Sequence, residues 1–158
     1  DSWIKQMAQQ TGMIEPFTDH LVSSETMAHG LRDHGYVIRA SDEFHLLAVG
    51  RQDVTIIDPK DFGDHKMTSF RGDICVIPPR SLVEVRSLEY LRIPDDTIAV
   101  IEGHEAYLQA GLLISRYSLQ PGWKGYAKFT VVNPTPVPGR VYANHGIALI
   151  YFLECETG

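Results

Sequence analysis

The chain has 158 residues, which suffices for one domain with a hydrophobic core, and we expect a single domain over residues 1–158. Its formal net charge of −6 argues against a nucleic-acid-binding protein, since neutralising phosphates requires clustered Lys and Arg, although one local basic pocket would still bind a small anion. Although 44% of the residues are hydrophobic, no apolar run approaches the roughly 20 residues that span a bilayer, so we predict a cytoplasmic protein without a membrane partner.

The first predicted element is a short N-terminal helix. Apolar residues recur at helical spacing from Trp3 to Ala8, Ser2 is a suitable N-cap, and Gly12 is suited to end the helix. After Gly12 the hydrophobic pattern changes to short apolar runs bounded by Gly, Pro and Asp. The predicted strands cover residues 36–39, 44–47, 54–57, 73–77, 82–93, 97–101, 112–115, 126–133 and 146–153. Many short strands of this kind favour an all-β sandwich or barrel.

The prolines and cysteines have structural interpretations. The Pro-rich residues 134–139 predict a rigid turn between two strands in preference to a Pro-rich ligand motif. Cys75 and Cys155 lie far apart, each within an apolar stretch, and we predict that both are buried free thiols.

Common catalytic motifs are missing from the sequence. It lacks the Pro-Cys-x-x-Cys of zinc nucleobase deaminases, the His-Glu-x-x-His of metalloproteases, a Gly-x-Ser-x-Gly elbow and a Walker loop. The seven histidines show no ligand spacing, so we predict no metal site. Motifs alone therefore indicate a β domain and no particular chemistry.

Several segments, taken in order, resemble the dCTP deaminase/dUTPase family. Residues 35–39 read Gly-Tyr-Val-Ile-Arg, similar to the family's Gly-Tyr-Asp-Ile-Arg, and residues 120–125 read Gln-Pro-Gly-Trp-Lys-Gly around the family's Trp-x-Gly. The similar segments are residues 3–7, 12–17, 35–39, 42–44, 57–60, 72–79, 88–94, 120–125 and 142–146. Their order and spacing extend the resemblance over about residues 1–155.

The resemblance implies a fold and an assembly. The expected fold is mainly β, a dUTPase-like distorted jelly-roll or β-sandwich with a short N-terminal helix. The expected assembly is a homotrimer whose three sites lie between subunits, each built from more than one chain. In active members a glutamate activates the attacking water, and a Ser/Thr- and Arg-bearing segment holds the triphosphate, usually with magnesium.

The position of the catalytic glutamate is the first departure from the family. Active members carry that glutamate in a Thr-Leu-Glu-Phe strand shortly after Trp-x-Gly, and the matching position here is Thr130, in Lys-Phe-Thr-Val. A threonine hydroxyl without a proton acceptor cannot act as a general base, and such a base contributes roughly 10²–10⁴-fold in rate. We therefore predict no catalytic residue here.

The phosphate-binding segment is the second departure. The family reads Gly-Lys/Arg-Ser-Ser/Thr-x-Ala-Arg-x-Gly, whereas residues 103–111 read Gly-His-Glu-Ala-Tyr-Leu-Gln-Ala-Gly. Glu105 and Ala106 replace the two hydroxyl residues, and Gln109 replaces the arginine. Charge-assisted hydrogen bonds contribute about 1.5–3 kcal/mol each, so losing two or three should abolish triphosphate binding in the family's manner.

The scaffold thus resembles the family while its site does not. We interpret the chain as a pseudoenzyme that has lost deaminase and dUTPase activity and that binds a nucleotide or nucleobase. Gln120 replaces the acidic residue that meets the sugar, and Val37 replaces the aspartate of Gly-Tyr-Asp-Ile-Arg. We expect no cofactor, with magnesium only if a nucleoside triphosphate is bound. The candidate ligand-binding residues are His104, Glu105, Ala106, Tyr107, Gln109, Gln120, Trp123 and Thr130.

Alternatives from other classes stay open. The chain could be a regulatory subunit that assembles with an active relative. It could also be a redirected enzyme in which His104, Glu105 and His145 supply acid–base groups. A displaced alignment would make it an ordinary zinc-independent dCTP deaminase. Tyr107 and Trp123 could be packing residues and not ligand contacts.

Overall fold

The computed structural model of the protein describes residues 2–23, 27–47, 56–61 and 67–156. Its elements, in chain order, are α1 (Ser2–Thr11), β1 (Ile14–Glu15), β2 (Leu21–Val22), β3 (His29–Arg32), β4 (Gly35–Leu47), β5 (Met67–Arg71), β6 (Ile74–Ile77), β7 (Ser81–Arg92), β8 (Thr97–Gly103), α2 (Glu105–Gln109), β9 (Leu113–Ile114), β10 (Tyr117–Leu119), β11 (Lys124–Asn133), β12 (Gly139–Tyr142) and β13 (Gly146–Glu154).

The predicted N-terminal helix is present as α1. Its apolar positions bury Ile4 and Ala8 against the strands. Gly12 ends it with φ 69°, and its N–H donates to the carbonyl of Ala8 at 3.1 Å. This left-handed conformation favours glycine, as the sequence pattern indicated.

The strands form one extended antiparallel arrangement around the core. The hydrogen-bonded order of the main sheet is β10-β8-β13-β4-β7-β11-β9. Strands β3 and β5 also pair with β4, β2 pairs with β3, and β1 pairs with β7. Strands β12 and β6 form a separate two-stranded sheet. All pairings between the described strands are antiparallel. The prediction of a mainly β fold is confirmed.

Strand β4 links the two halves of the fold. Its first half pairs with β3 and β13, and its second half pairs with β5 and β7. The ladder to β7 shifts register between Ala40 and Phe44, where the strand passes from one half to the other. Nearby, fully buried Glu89 of β7 accepts hydrogen bonds at 2.9 Å from both the backbone N–H and the Nε of Arg39. This pair joins β4 to β7 in the interior.

Alternation of side chains places the core on one face of β7 and β11. In β7 every second residue from Ser81 to Glu89 is buried. In β11 the buried residues are Ala127, Phe129, Val131 and Asn133. The intervening residues therefore face outward, and these outward residues form the surfaces discussed below.

Some predicted boundaries differ from the structure. Residues 36–39 and 44–47 belong to a single strand, β4, which stays extended through the register shift between Ala40 and Phe44. Residues 54–55 lie outside the described residues, while Ile56 and Ile57 are exposed and not in a strand. The predicted turn at 134–139 connects β11 to β12, as expected.

Both cysteines are free thiols, as predicted. Cys75 is buried, and burial raises its pKa to about 11. Cys155 is only partly buried, so its predicted burial was wrong: it lies beyond the end of β13, where strand packing no longer covers it. Among the described residues, no helix has both the length and the apolar character required to cross a membrane.

Candidate functional site

The segment 103–111, predicted to match the phosphate-binding loop, contains the short helix α2. His104 is its N-cap, and its Nδ1 accepts a hydrogen bond from the backbone N–H of Ala106 at 3.1 Å. Desolvation by burial lowers the pKa of His104, with a smaller opposing contribution from Glu105. The neutral imidazole is thus used to cap the helix. Glu105 and Gln109 are exposed.

Tyr107 of α2 points into the protein. Its side chain is 4% exposed, and its hydroxyl accepts a hydrogen bond from the backbone N–H of Tyr142 at 3.2 Å. Burial raises its pKa to about 12. Tyr107 and Ala106 also line a cavity of about 370 Å³ between α2 and the 135–140 turn. The ring of Tyr107 is therefore chiefly a packing element that anchors α2 to β12.

Gln120 and Trp123 border a different cavity, of about 520 Å³, which we call the Trp123 pocket. The pocket is lined by Ser115, Tyr117, Ser118, Leu119, Gln120, Trp123, Tyr126 and Lys128. Three aromatic rings give it an apolar wall suited to a flat ring. Lys128 is the one charged residue of this lining.

Backbone geometry positions Trp123. Its N–H donates to the carbonyl of Gln120 at 3.1 Å, and its carbonyl accepts from the N–H of Ile93 at 2.8 Å. A Cβ added to Gly125, which has φ 150°, would lie 3.2 Å from the indole ring. Glycine at this position therefore lets the indole lie flat over the chain, which explains the Trp-x-Gly spacing.

Thr130 lies beside the Trp123 pocket on the outward face of β11. Its backbone N–H donates to Ser115 Oγ at 3.2 Å, and its carbonyl accepts from the Ser115 N–H at 3.1 Å. In the β7–β11 ladder it stands directly opposite Glu84, which is half-buried. Sequence reasoning missed Glu84, because the partner of a residue in an antiparallel ladder depends on register and not on sequence distance.

The structure separates the predicted site residues within one chain. Gln120 and Trp123 line the Trp123 pocket with Thr130 next to it, Ala106 and Tyr107 line the cavity beside β12, and His104 lines a third cavity of about 230 Å³. His145 lies between β12 and β13, against the ring of Tyr142. Among the described residues, no three His, Cys, Asp or Glu side chains are grouped as a metal site.

Sequence reasoning also missed Tyr117, Tyr126 and Lys128 as pocket residues. A signal was available for two of them. Tyr126, Lys128 and Thr130 alternate along β11, so a period of two places them on the same face. Tyr117 reaches the pocket from β10, which is paired with β8, and no local pattern indicates that approach.

Sequence comparisons assign the chain to a known group of proteins. The family model described as dCTP deaminase-like matches residues 1–155. A dCTP deaminase of Herpetosiphon aurantiacus is 42% identical over 98% of this chain and 83% of its own length. A dCTP deaminase of Sulfurovum sp. is 38% identical over 99% of this chain and 85% of its own length.

Solved structures with the same fold have low sequence identity. A 2'-deoxycytidine 5'-triphosphate deaminase from Agrobacterium tumefaciens matches with a TM-score of 0.68 at 11% identity, over 96% of this chain and 46% of that one. The chain thus spans less than half of that protein. EIAV dUTPase matches with a TM-score of 0.54 at 12% identity, over 88% of this chain and 92% of its own. At these identities the likeness shows the fold alone.

Proposed function

This chain belongs to the dCTP deaminase-like family, and we propose that it binds a nucleotide-like ligand in the Trp123 pocket without deaminating dCTP. The observation that carries the proposal is the pocket itself. It keeps a volume of about 520 Å³ and three aromatic walls, yet none of its lining residues is a carboxylate. A pocket of this kind can bind a base by stacking, but it does not supply a general base for water.

Thr130 supports the loss of deamination. Glu84 is the carboxylate opposite it, but Glu84 belongs to β7, on the side of β11 away from Ser115. Neighbouring strands are about 4.8 Å apart. A displacement of about 1 Å in a catalytic group can reduce rate roughly 10²-fold, so a carboxylate one strand away does not replace one on β11.

The surface of α2 supports the loss of triphosphate binding in the family's manner. Glu105 is exposed in the first turn, Ala106 carries no hydroxyl, and Gln109 is uncharged. A carboxylate here repels phosphate where active members carry cationic and hydroxyl groups. Any phosphate of a bound ligand must therefore be held elsewhere.

We further propose that the chain assembles as a homotrimer in which a second copy completes each site. Leu108 on α2 is 63% exposed and Leu113 on β9 is 48% exposed, and both are apolar side chains near the separated site residues. A second copy that covers them would remove this apolar surface from water. Sedimentation velocity at several protein concentrations tests this directly, and a monomer throughout would contradict it.

The test of function combines ligand binding with turnover. Purified protein is heated with cytosine, deoxycytidine, dCMP, dCTP and dUTP, with and without magnesium, and ammonia release is measured in parallel. A ligand at about 100 times its Kd stabilises the folded state by about 2.7 kcal/mol, which is a rise of about 5–11 °C in Tm for a chain of this size. We expect such a rise for at least one compound and no ammonia from any.

A matched pair of variants tests whether the ligand-induced rise in Tm depends on the Trp123 pocket. Gln120 is exposed, so Gln120→Ala should leave the Tm of the free protein unchanged while reducing the ligand-induced rise. Gln10→Ala, an exposed glutamine on α1 and outside this pocket, is the control and should keep the rise. Ammonia release from dCTP by the unmodified protein would refute the loss of deamination. A rise of equal size in Gln120→Ala would place the ligand outside the Trp123 pocket.

A further inference from the structure

The outward face of β7 and β11 carries two basic cross-strand pairs with a tyrosine pair between them. The pairs are Lys124 with Arg92, Tyr126 with Tyr90 and, beyond a register shift in the ladder, Lys128 with Arg86. We call these six residues the basic strip. Over the four residue-to-residue steps from Lys124 to Lys128 it extends about 13 Å along β11.

Two of the pairs in the basic strip place like charges directly opposite each other, an arrangement that destabilises a sheet. Arg92 pairs with Glu15 at 2.7 Å, and Arg86 lies 3.4 Å from Glu43, which also pairs with Arg71. In the part of the chain that the structure describes, no carboxylate lies within ion-pair distance of Lys124 or Lys128. The strip is therefore locally positive on a chain of net charge −6.

The two tyrosines hold the two guanidinium groups in place. The rings of Tyr90 and Tyr126 meet edge to face with centroids 5.2 Å apart. Arg86 Cζ lies 4.2 Å from the Tyr126 centroid, and Arg92 Cζ lies 4.8 Å from that of Tyr90. Stacking of this kind orients a guanidinium before any ligand arrives, which reduces the entropy lost when it binds an anion.

The basic strip is continuous with the Trp123 pocket. Tyr126 and Lys128 belong to both, so the positive charge begins where the aromatic wall of the pocket ends. A ligand with a flat ring in the pocket and an anionic group at its other end matches this arrangement. Nucleotides have that shape and charge.

We propose that the basic strip binds the phosphate groups of a nucleotide whose base lies in the Trp123 pocket, an inference that rests on the binding function proposed above. The phosphate site is thereby located on the β7–β11 face, away from α2, where Glu105 repels anions. The ligand class is a nucleoside phosphate and not a free base. The overall negative charge disfavours a nucleic acid strand at the same surface.

The experiment compares ligands with and without phosphate on charge variants. Lys124 and Lys128 are exposed, so the double variant Lys124→Gln/Lys128→Gln should fold. Lys60→Gln, an exposed lysine outside the strip, is the matched control. Calorimetric titration with deoxycytidine, dCMP, dCTP, inorganic triphosphate and a single-stranded oligodeoxynucleotide covers the competing ligands.

We expect the double variant to bind dCMP or dCTP at least tenfold more weakly than the unmodified protein. Because Lys128 also lines the Trp123 pocket, the affinity for deoxycytidine should fall as well, but by a much smaller factor than the affinity for either nucleotide. Added salt should weaken nucleotide binding in the unmodified protein and have less effect in the double variant. Without ligand the double variant should have a higher Tm, because both like-charge pairs are removed.

The outcomes separate the inference from the proposed function. If the double variant and the unmodified protein bind nucleotides equally tightly, the basic strip does not bind the phosphate groups, but the proposed binding of the base in the Trp123 pocket still stands. If the unmodified protein binds no nucleoside or nucleotide, the proposed function fails. Inorganic triphosphate binding that the double variant loses would then still support the strip as a phosphate site. Tighter binding of the oligonucleotide than of dCTP overturns the assignment to a free nucleotide.

Discussion

A glutamate introduced at position 130 should repel the carboxylate of Glu84 and destabilise the fold. Thr130 and Glu84 are direct partners in the β7–β11 ladder, and both are half-buried. Side chains directly opposite each other have Cβ atoms about 5 Å apart. Thr130→Glu would thus place two carboxylates side by side on one face.

The size of the conflict follows from Coulomb's law. Two unit charges about 5 Å apart repel by about 0.8 kcal/mol in water and about 3 kcal/mol at an effective dielectric constant near 20. Because both positions are partly solvated, we expect Thr130→Glu to be less stable than Thr130→Gln by about 1–2 kcal/mol. The glutamine variant has nearly the same shape, so the difference isolates the charge.

The assay is urea denaturation of four proteins: Thr130→Glu, Thr130→Gln, and each of them combined with Glu84→Gln. In the Glu84→Gln background the penalty should vanish, which gives a coupling of about 1–2 kcal/mol from the cycle. The penalty should also shrink in about 1 M salt, where the screening length falls to about 3 Å. No variant should deaminate dCTP, because α2 is unchanged.

Two results would refute this reasoning. If Thr130→Glu is as stable as Thr130→Gln, residues 84 and 130 do not face each other. If Glu84→Gln fails to relieve the penalty, the repelling group is elsewhere. Deamination of dCTP by Thr130→Glu would contradict the role proposed for α2.

Three further substitutions test the packing and the helix cap. Buried Asn133 donates to three backbone carbonyls and accepts two hydrogen bonds from Thr135. Asn133→Ala should therefore reduce the free energy of unfolding, measured in urea, by about 2–4 kcal/mol, and a loss under about 1 kcal/mol would contradict this. Tyr107→Phe leaves the backbone N–H of Tyr142 without its acceptor and should reduce the free energy of unfolding by about 1–2 kcal/mol. A changed nucleotide affinity in this variant would contradict a packing role for Tyr107. Burial lowers the pKa of His104 below the ordinary 6.5. As pH falls through 6.5, the unfolded chain therefore binds more protons than the folded chain, and the free energy of unfolding decreases over that pH range. His104→Asn keeps a capping side chain without the titration, so its urea midpoint should change less from about pH 7 to 5 than that of the unmodified protein; some slope should remain because burial also lowers the pKa of His29. An unchanged slope would mean that His104 does not titrate as the cap.

Local sequence patterns predicted much of the fold. The helical spacing before Gly12 predicted α1, and the apolar runs at 82–93, 97–101, 126–133 and 146–153 predicted β7, β8, β11 and β13 to within about two residues at most ends. These elements have clear periodicity, since one face is buried along their whole length. The short strands β1, β2 and β10 have two or three residues each, too few to show a period, whereas β9 lies within the predicted run at 112–115.

The candidate site was predicted only in part. Counting from Trp123 and Gly125 predicts Thr130 at the position of the family's catalytic glutamate, and the structure places Thr130 on β11, hydrogen-bonded to Ser115 of the Trp123 pocket. The segment around His104 showed no helical period, since α2 has five residues and depends on the histidine cap and on the burial of Tyr107.

By itself the sequence determined the family and the β-rich fold. It also predicted Thr130 at the position of the family's catalytic glutamate, and Glu105 and Gln109 in the segment that resembles the phosphate-binding loop. The tertiary structure alone decided which side chains meet across strands. Glu84 opposite Thr130, and Arg86 opposite Lys128, are separated by more than forty residues in the chain and are joined only by the register of one ladder. Register depends on the packing of the whole sheet, and a shift of one residue would turn every one of these side chains to the other face.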